Sequence, residues 1–357
     1  MSAPRPPVAP RVRSRRSRHG ETVSDYYAWM RDKQDPRLLD YLHAENEYTD
    51  QVTADLEGLR QDIFDDLAAR TKQTDMSVPE FVHHPGLGDF WYYARTTDGR
   101  DYPSYHRCPA SSRDLIPDPD QRAPEGEQLL LDVQALAAGR EFLALGTFAV
   151  SPNGRLAAYS IDTTGDERYQ LFFLDLITGA LLPDQLPEVA AGGDWALDDA
   201  FCYLTVDDSW RPDQLWRHRL GSPDPDELLL TEPDERFWLG VDASRDHRWL
   251  IVSAASKDST ECWIADLTVP GEPLHSVSGR TEGLEYDVEV ANDRLFIVHN
   301  LDAPDFALAE ADFDCRSVGQ WRPIWPGELG VRLLGVTAYD RCLVAGVRRR
   351  GLATITL

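Results

Sequence analysis

Residues 151–161 read SPNGRLAAYSI, a tight turn followed at once by a short apolar run. Asn153-Gly154 is among the strongest hairpin signals, because both residues accept the positive φ angles of a two-residue turn. A turn-like stretch followed by an apolar run recurs four more times along the chain. The five runs are centred on Ala158, Tyr203, Ile251, Ile297 and Val344, at intervals of 45, 48, 46 and 47 residues.

This period in the mid-forties is typical of a β-propeller, in which each repeat is one blade of four short strands. A single blade cannot bury both of its faces, whereas blades stacked around an axis cover one another. An earlier blade fits residues 78–133, so the sequence predicts five complete blades and the opening strands of a sixth. The alternative is an all-β sandwich with accidental spacing, and four such similar intervals make it the weaker interpretation.

The last residues, 352–357, read LATITL and predict the third strand of the final blade. The sequence stops inside this strand, which would leave an apolar edge unpaired. We therefore expect a truncated product or a fragment, and hence an incomplete propeller.

The N-terminal part of the chain differs from these repeats in its composition and in its pattern of apolar residues. Six arginines fall within the first 18 residues, together with several prolines, which predicts a disordered basic tail. Residues 35–71 predict two amphipathic helices, with Asp35 as the N-cap and Pro36 at the first helical position. The predicted division is therefore a tail, a helical segment and a propeller domain, at residues 1–20, 21–75 and 76–357.

The composition of the chain limits which partners and which cellular compartment we expect for it. Hydrophobic residues make up 42% of the chain, enough for a sizeable core, and the formal net charge is −25. Such an acidic surface repels phosphate backbones, so we expect no nucleic acid partner. No apolar run is long enough to span a membrane, so we expect no membrane partner. The five cysteines form no C-x-x-C pair, which favours a reducing, cytoplasmic location.

The chain contains none of the common catalytic motifs. It has no G-x-S-x-G elbow, no phosphate loop, no dinucleotide-binding glycine fingerprint and no H-E-x-x-H. We therefore expect no catalytic residue, no metal site and no cofactor in this chain. Taken alone, the residues favour a binding scaffold.

Five groups of segments carry a further signal. They read HGET at 19–22 with DYYAWMRD at 25–32, LDYLHAEN at 39–46, FWYY at 90–93 with DYPSYHR at 101–107, EF at 141–142 ahead of VSPNG at 150–154, and QLWRHRLG at 214–221. In this order they resemble the prolyl oligopeptidase family of serine peptidases, and most closely its oligopeptidase B branch. The resemblance runs from about residue 19 to the C-terminus.

This resemblance implies a seven-bladed propeller that caps an α/β-hydrolase domain, with the N-terminal helices packed on the hydrolase domain. The expected fold class is mainly β, an incomplete seven-bladed-type β-propeller with an N-terminal α-helical segment. In the family the hydrolase domain follows the propeller and carries the serine, aspartate and histidine of the triad. None of the three lies in this chain, so we expect the chain to be inactive alone.

The resemblance to the oligopeptidase B branch implies hydrolysis of short peptides after arginine or lysine, with the propeller as a gate and size filter. The implied partners are the hydrolase domain, as a missing C-terminal part or a separate chain, and short basic peptides. Glu141 matches a family glutamate on the propeller rim, which implies an interdomain latch; an ordinary loop glutamate is the alternative. Two other interpretations stay open, a stand-alone non-catalytic propeller that binds a partner and one half of a split peptidase.

Overall fold

The computed structural model describes residues 4–118, 123–291, 293–339 and 341–356. The chain separates into two compact units, the first ending at Gln73 and the second beginning at Thr74. Residues 1–3 of the expected tail and Leu357 of the expected last strand lie outside the described residues.

The first unit begins with an antiparallel hairpin of β1 (Ser14–Arg18) and β2 (Glu21–Asp25). His19 and Gly20 adopt φ angles of 53° and 82°, the left-handed conformation that a two-residue hairpin turn requires. Residues 14–18, which composition assigned to a disordered tail, are therefore paired. The physical reason is backbone pairing: the strand remains exposed, but its main chain is hydrogen-bonded to β2.

Two helices follow, α1 (Pro36–Thr53) and α2 (Glu57–Arg70), separated by a short 3-10 turn. The predicted N-cap is confirmed, because the Asp35 carboxylate accepts a hydrogen bond from the backbone N–H of Arg37 at 2.9 Å. Neither helix has a buried residue. Six of their large apolar side chains are exposed at 45–65%: Leu39, Leu42, Leu59, Ile63, Phe64 and Leu67.

The second unit consists of antiparallel sheets that follow one another along the chain. The first sheet contains β3 (Asp75–Met76), β4 (Glu80–His84), β5 (Gly88–Thr96), β6 (Ser104–Pro109) and β7 (Gln128–Asp132). After α3 (Val133–Ala137), the second contains β8 (Ala144–Val150), β9 (Leu156–Asp162), β10 (Tyr169–Asp175) and β11 (Leu181–Val189). The third contains β12 (Asp194–Leu197), β13 (Ala200–Val206), β14 (Pro212–Arg219) and β15 (Glu227–Thr231).

The fourth sheet contains β16 (Trp238–Ala243), β17 (Trp249–Ala255), β18 (Thr260–Asp266) and β19 (His275–Ser276). The fifth contains β20 (Tyr286–Ala291), β21 (Arg294–His299), β22 (Ala307–Ala311) and β23 (Arg322–Trp325). The sixth contains β24 (Val331–Ala338), β25 (Leu343–Arg349) and β26 (Leu352–Thr356).

These sheets are the predicted blades. In the first, β3 and β4 pair with the same edge of β5, as one interrupted first strand. The second and third are joined by a single bridge between Val189 and Thr205 and otherwise remain separate blades. Within the described residues there are therefore five complete blades and the three opening strands of a sixth, which confirms the prediction.

Six of the seven core clusters among the described residues combine side chains from two successive sheets. Leu215 of the third sheet packs with Leu239 and Val252 of the fourth, and Trp249 of the fourth packs with Ile297 of the fifth. A blade is apolar on both faces, so it needs a neighbour on each side. This requirement explains why the repeat of apolar runs in the sequence specifies a stack of sheets around an axis.

Candidate functional site

The first strands of the blades form the innermost layer of the second unit. β8 contacts β12, β12 contacts β16, and β20 contacts β24. The first strand of each blade is its innermost strand, so these strands line the central channel that a propeller encloses. Side chains and free backbone groups on their inner edge therefore face the channel.

Carboxylates occupy several of these channel positions. An oxygen of Asp194 on β12 accepts a hydrogen bond from the backbone N–H of Ala243 on β16, at 3.0 Å. Glu289 on β20 accepts one from the N–H of Ala338 on β24, also at 3.0 Å. The inner edge of a first strand leaves N–H groups unpaired, and a carboxylate from the preceding blade satisfies them. We call Asp194, Asp242, Asp287 and Glu289 the carboxylate row.

Folding raises the pKa of three of the four carboxyls in the row. Desolvation raises the pKa of Asp242 above its usual value, and the nearby charges of Asp194 and Glu289 raise it further. Desolvation also raises the pKa of Asp287 and of Glu289. For Glu289, the bond from Ala338 and the charge of Arg245 oppose this shift without cancelling it. The row is thus an environment that favours a cation.

Asparagine in place of Asp242 should raise the thermal stability of the chain at neutral pH. A carboxyl whose pKa is raised by folding stabilises the fold below its ordinary pKa, near 3.8, and loses that contribution as the pH rises through the folded value. At pH 7 the charge at Asp242 opposes folding. The variant should therefore have a higher Tm than the wild type at pH 7, and the difference should vanish as the pH approaches about 4.

The matched control is Asp208→Asn, which removes the same charge from an exposed loop between β13 and β14. It should leave Tm unchanged across the same pH range. An equal gain in Tm for both variants would show that net charge, and not crowding in the carboxylate row, is responsible.

The two ends of the channel are chemically different. Glu141 lies three residues before the start of β8, whereas the turn Ser151–Arg155 follows the strand, so the two lie at opposite ends of β8, about 20 Å apart. One end of the channel carries the segments that precede the first strands and the loops that join second strands to third strands. We call this end the Glu141 face. The opposite end, with the turns between first and second strands, is the turn face.

Glu141 lies in a bend between α3 and β8, and its side chain is exposed. Among the described residues it has neither a hydrogen bond nor an ion pair. Its carboxylate is thus available to a partner outside the second unit. Three large aromatic residues share the Glu141 face and are also exposed: Phe142 at 43%, Trp210 at 43% and Trp238 at 53%.

The sequence analysis did not single out these aromatics, because large aromatic residues beside strand runs pack by default in the core or between blades. Trp210 is held in place by its own loop, where the Asp207 carboxylate accepts from the N–H of Ser209 at 2.7 Å and of Arg211 at 3.1 Å. Its backbone φ of 60° is unusual for a bulky residue. The Asp-Asp-Ser-Trp sequence of residues 207–210, a turn signal carrying a tryptophan, was the available indication.

The described residues contain no group of three or more His, Cys, Asp or Glu side chains able to hold a metal ion. No helix in the described part of the chain is long and apolar enough to cross a membrane. The cysteines are unpaired thiols, and burial raises the pKa of Cys202 to about 12. A thiol that stays protonated at neutral pH is a poor nucleophile, so Cys202 is a packing residue.

A β-propeller preceded by a helical segment is thus the class of domain that this chain forms. Residues 6–357 match the family described as prolyl oligopeptidase, N-terminal beta-propeller domain. The chain therefore belongs to the prolyl oligopeptidase family, of which it contains the propeller region.

Similar proteins agree with this assignment. Protease 2 of Moraxella lacunata is 34% identical over 306 residues, which cover 85% of this chain and 43% of that protein. Dipeptidyl aminopeptidase BI of Pseudoxanthomonas mexicana is 33% identical over 99% of this chain and 50% of its own length. The chain thus spans about half the length of these curated relatives.

Solved structures also match nearly all of this chain with about half of their own length. Oligopeptidase B from Leishmania major matches with a TM-score of 0.85 and 25% identity, over 99% of this chain and 50% of that one. Oligopeptidase B from Trypanosoma brucei, in a closed form with covalently bound antipain, matches with a TM-score of 0.84 and 27% identity, over 98% and 50% of the two chains.

Proposed function

We propose that this chain is the gate and size filter of a serine peptidase of the oligopeptidase B type and works with an α/β-hydrolase domain. That domain would supply the serine, aspartate and histidine, and the reaction would be acyl transfer from short peptides after arginine or lysine. The observation that carries the proposal is the extent of the match. The chain aligns over nearly its whole length with only about half of each peptidase.

The exposed helices support a hydrolase domain as the partner. The apolar side chains of α1 and α2 are too large and too contiguous for a surface that stays in water. On α2, Leu59, Ile63 and Leu67 follow one another at intervals of four and so form one stripe. A second protein domain is the kind of partner that buries such a stripe.

The carboxylate row supports short basic peptides as substrates. An arginine or lysine side chain entering the channel would meet Asp242, Asp287 and Glu289, whose pKa values desolvation raises. The net charge of −25 would steer such peptides toward the protein, an effect that salt weakens. Free thiols support a cytoplasmic location, and the charge argues against nucleic acid.

Discrimination by size tests the proposed function directly. The assembled peptidase, captured from source cells with an antibody against the propeller, should cleave a short arginine-containing reporter. It should leave the same sequence intact within a folded protein, because a closed gate admits only short chains. The 357-residue chain alone should cleave neither. Equal cleavage of both substrates by the assembled enzyme would refute the filter.

Glu141 is proposed as the latch that pairs with the hydrolase domain when the gate closes. Glu141→Arg in the assembled peptidase should lower kcat/KM for the short reporter on the order of tenfold, because a like charge replaces an interdomain pair. Glu125→Arg is the matched control, since it makes the same charge change at an exposed position on the turn face. Unchanged activity in Glu141→Arg would remove the latch role.

A further inference from the structure

The turn between β16 and β17, residues 244–248, contacts blades that are not its neighbours. Nη1 of Arg245 lies 3.9 Å from Oε1 of Glu80, on β4 of the first sheet. The guanidinium carbon of Arg245 lies 4.4 Å from the centre of the Tyr339 ring, directly after β24 of the sixth sheet. A residue of the fourth sheet that reaches both the first and the sixth must lie at the axis of the stack.

A second residue of this turn supports the same position. Burial lowers the pKa of His84 at the end of β4, and the charge of His247 contributes to that shift. Arg245 also lowers the pKa of Glu289 in the fifth sheet, against the larger effect of desolvation. The turn therefore lies within electrostatic reach of three sheets from the centre of the turn face.

Nothing in the strand pairing holds the first and sixth sheets together. Among the described residues, no strand of the first sheet pairs with β24, β25 or β26. Every residue of β26 is exposed. Within the described residues, a link between the two sheets therefore has to come from side chains.

We propose that Arg245 is this link: it holds the first and sixth sheets across the axis and closes the turn face of the channel. Arginine suits the role, because its planar guanidinium stacks on an aromatic ring while its N–H groups face a carboxylate. Peptides would then reach the carboxylate row through the Glu141 face alone. That consequence rests on the proposed function, whereas the link itself is a property of this chain.

The test is a distance between spin labels on the two sheets, measured by double electron–electron resonance on the full chain. Labels at Leu129→Cys on β7 and Ile355→Cys on β26 occupy exposed positions, in a Cys342→Ser background that leaves only buried cysteines. The parent chain should give one narrow distance. Arg245→Ala should replace it with a longer and broader distribution, while its circular dichroism spectrum stays that of a folded β protein.

Two further variants decide between linkage and general loosening. Arg236→Ala removes an exposed arginine that pairs with Asp234 at the other end of the fourth sheet, and should keep the narrow distance. Tyr339→Leu, which removes the aromatic contact but leaves the charges of Arg245 and Glu80 in place, should broaden the distance as Arg245→Ala does. An unaltered distribution in Arg245→Ala would overturn the proposal. Because no hydrolase domain is needed, this result is independent of the peptidase proposal.

Discussion

Replacing Arg280 by methionine should destabilise the chain by about 3 kcal/mol, measured by urea denaturation at pH 7. The Glu232 carboxylate is only 4% exposed and forms an ion pair with Arg280. Nε of Arg280 lies 3.3 Å from Glu261, and its guanidinium stacks 3.6 Å from the centre of the Phe237 ring. Methionine retains the contact with the Phe237 ring but leaves the buried Glu232 carboxylate without its cation. An unpaired buried charge is what lowers the free energy of unfolding.

The matched control is Arg219→Met, which breaks the ion pair between Arg219 and Asp199. The side chains of these two residues are 59% and 54% exposed. Solvent already screens that pair, so its loss should cost less than about 1 kcal/mol. An equal loss of stability in the two variants would contradict this explanation, because the two ion pairs differ in the burial of the carboxylate.

The second large effect concerns the apolar stripe of the helical segment. A variant with serine at four apolar positions of α2 should lose most of the fluorescence enhancement that the chain gives to anilinonaphthalene sulfonate. The four positions are Leu59, Ile63, Phe64 and Leu67. These side chains are exposed at 51–65%, and a contiguous apolar surface of this kind binds the dye and promotes self-association. Sedimentation velocity should show less association in the variant at the same protein concentration.

Serine at Asp62 and Asp65 serves as the control, because it changes the same helix at polar positions between the apolar ones. Dye binding should then stay at the parental level. If the apolar variant also bound dye like the parent, the exposed hydrophobic surface would lie elsewhere, and the helical segment would lose its proposed role as a docking surface.

The blades could be predicted from the sequence because each depends on local signals. Asn153-Gly154 specifies a turn, the next residues specify a strand, and the interval between runs specifies the repeat. The N-cap at Asp35 is equally local. The hairpin of Ser14–Asp25 was missed because its strands bury nothing, so neither periodicity nor composition indicated it.

The carboxylate row was missed for a different reason. Asp194, Asp242 and Glu289 are separated by 48 and 47 residues, so each looks like an isolated acidic residue until the blades are superimposed. That spacing is itself the blade period, and aligning the first strands would have revealed the row. The contact of Arg245 with Glu80 has no such signal, because it depends on how the stack of blades closes around its axis.

The central claim is that this chain acts as part of a peptidase, whether the hydrolase domain lies on the same chain or on another. The most direct test is immunodepletion of an extract of the source cells with an antibody against the propeller. The account predicts that depletion removes hydrolysis of a short arginine reporter, and that the activity and the antigen elute together well above 40.3 kDa. An antigen that elutes at 40.3 kDa, with the reporter activity left in the depleted extract, would contradict it.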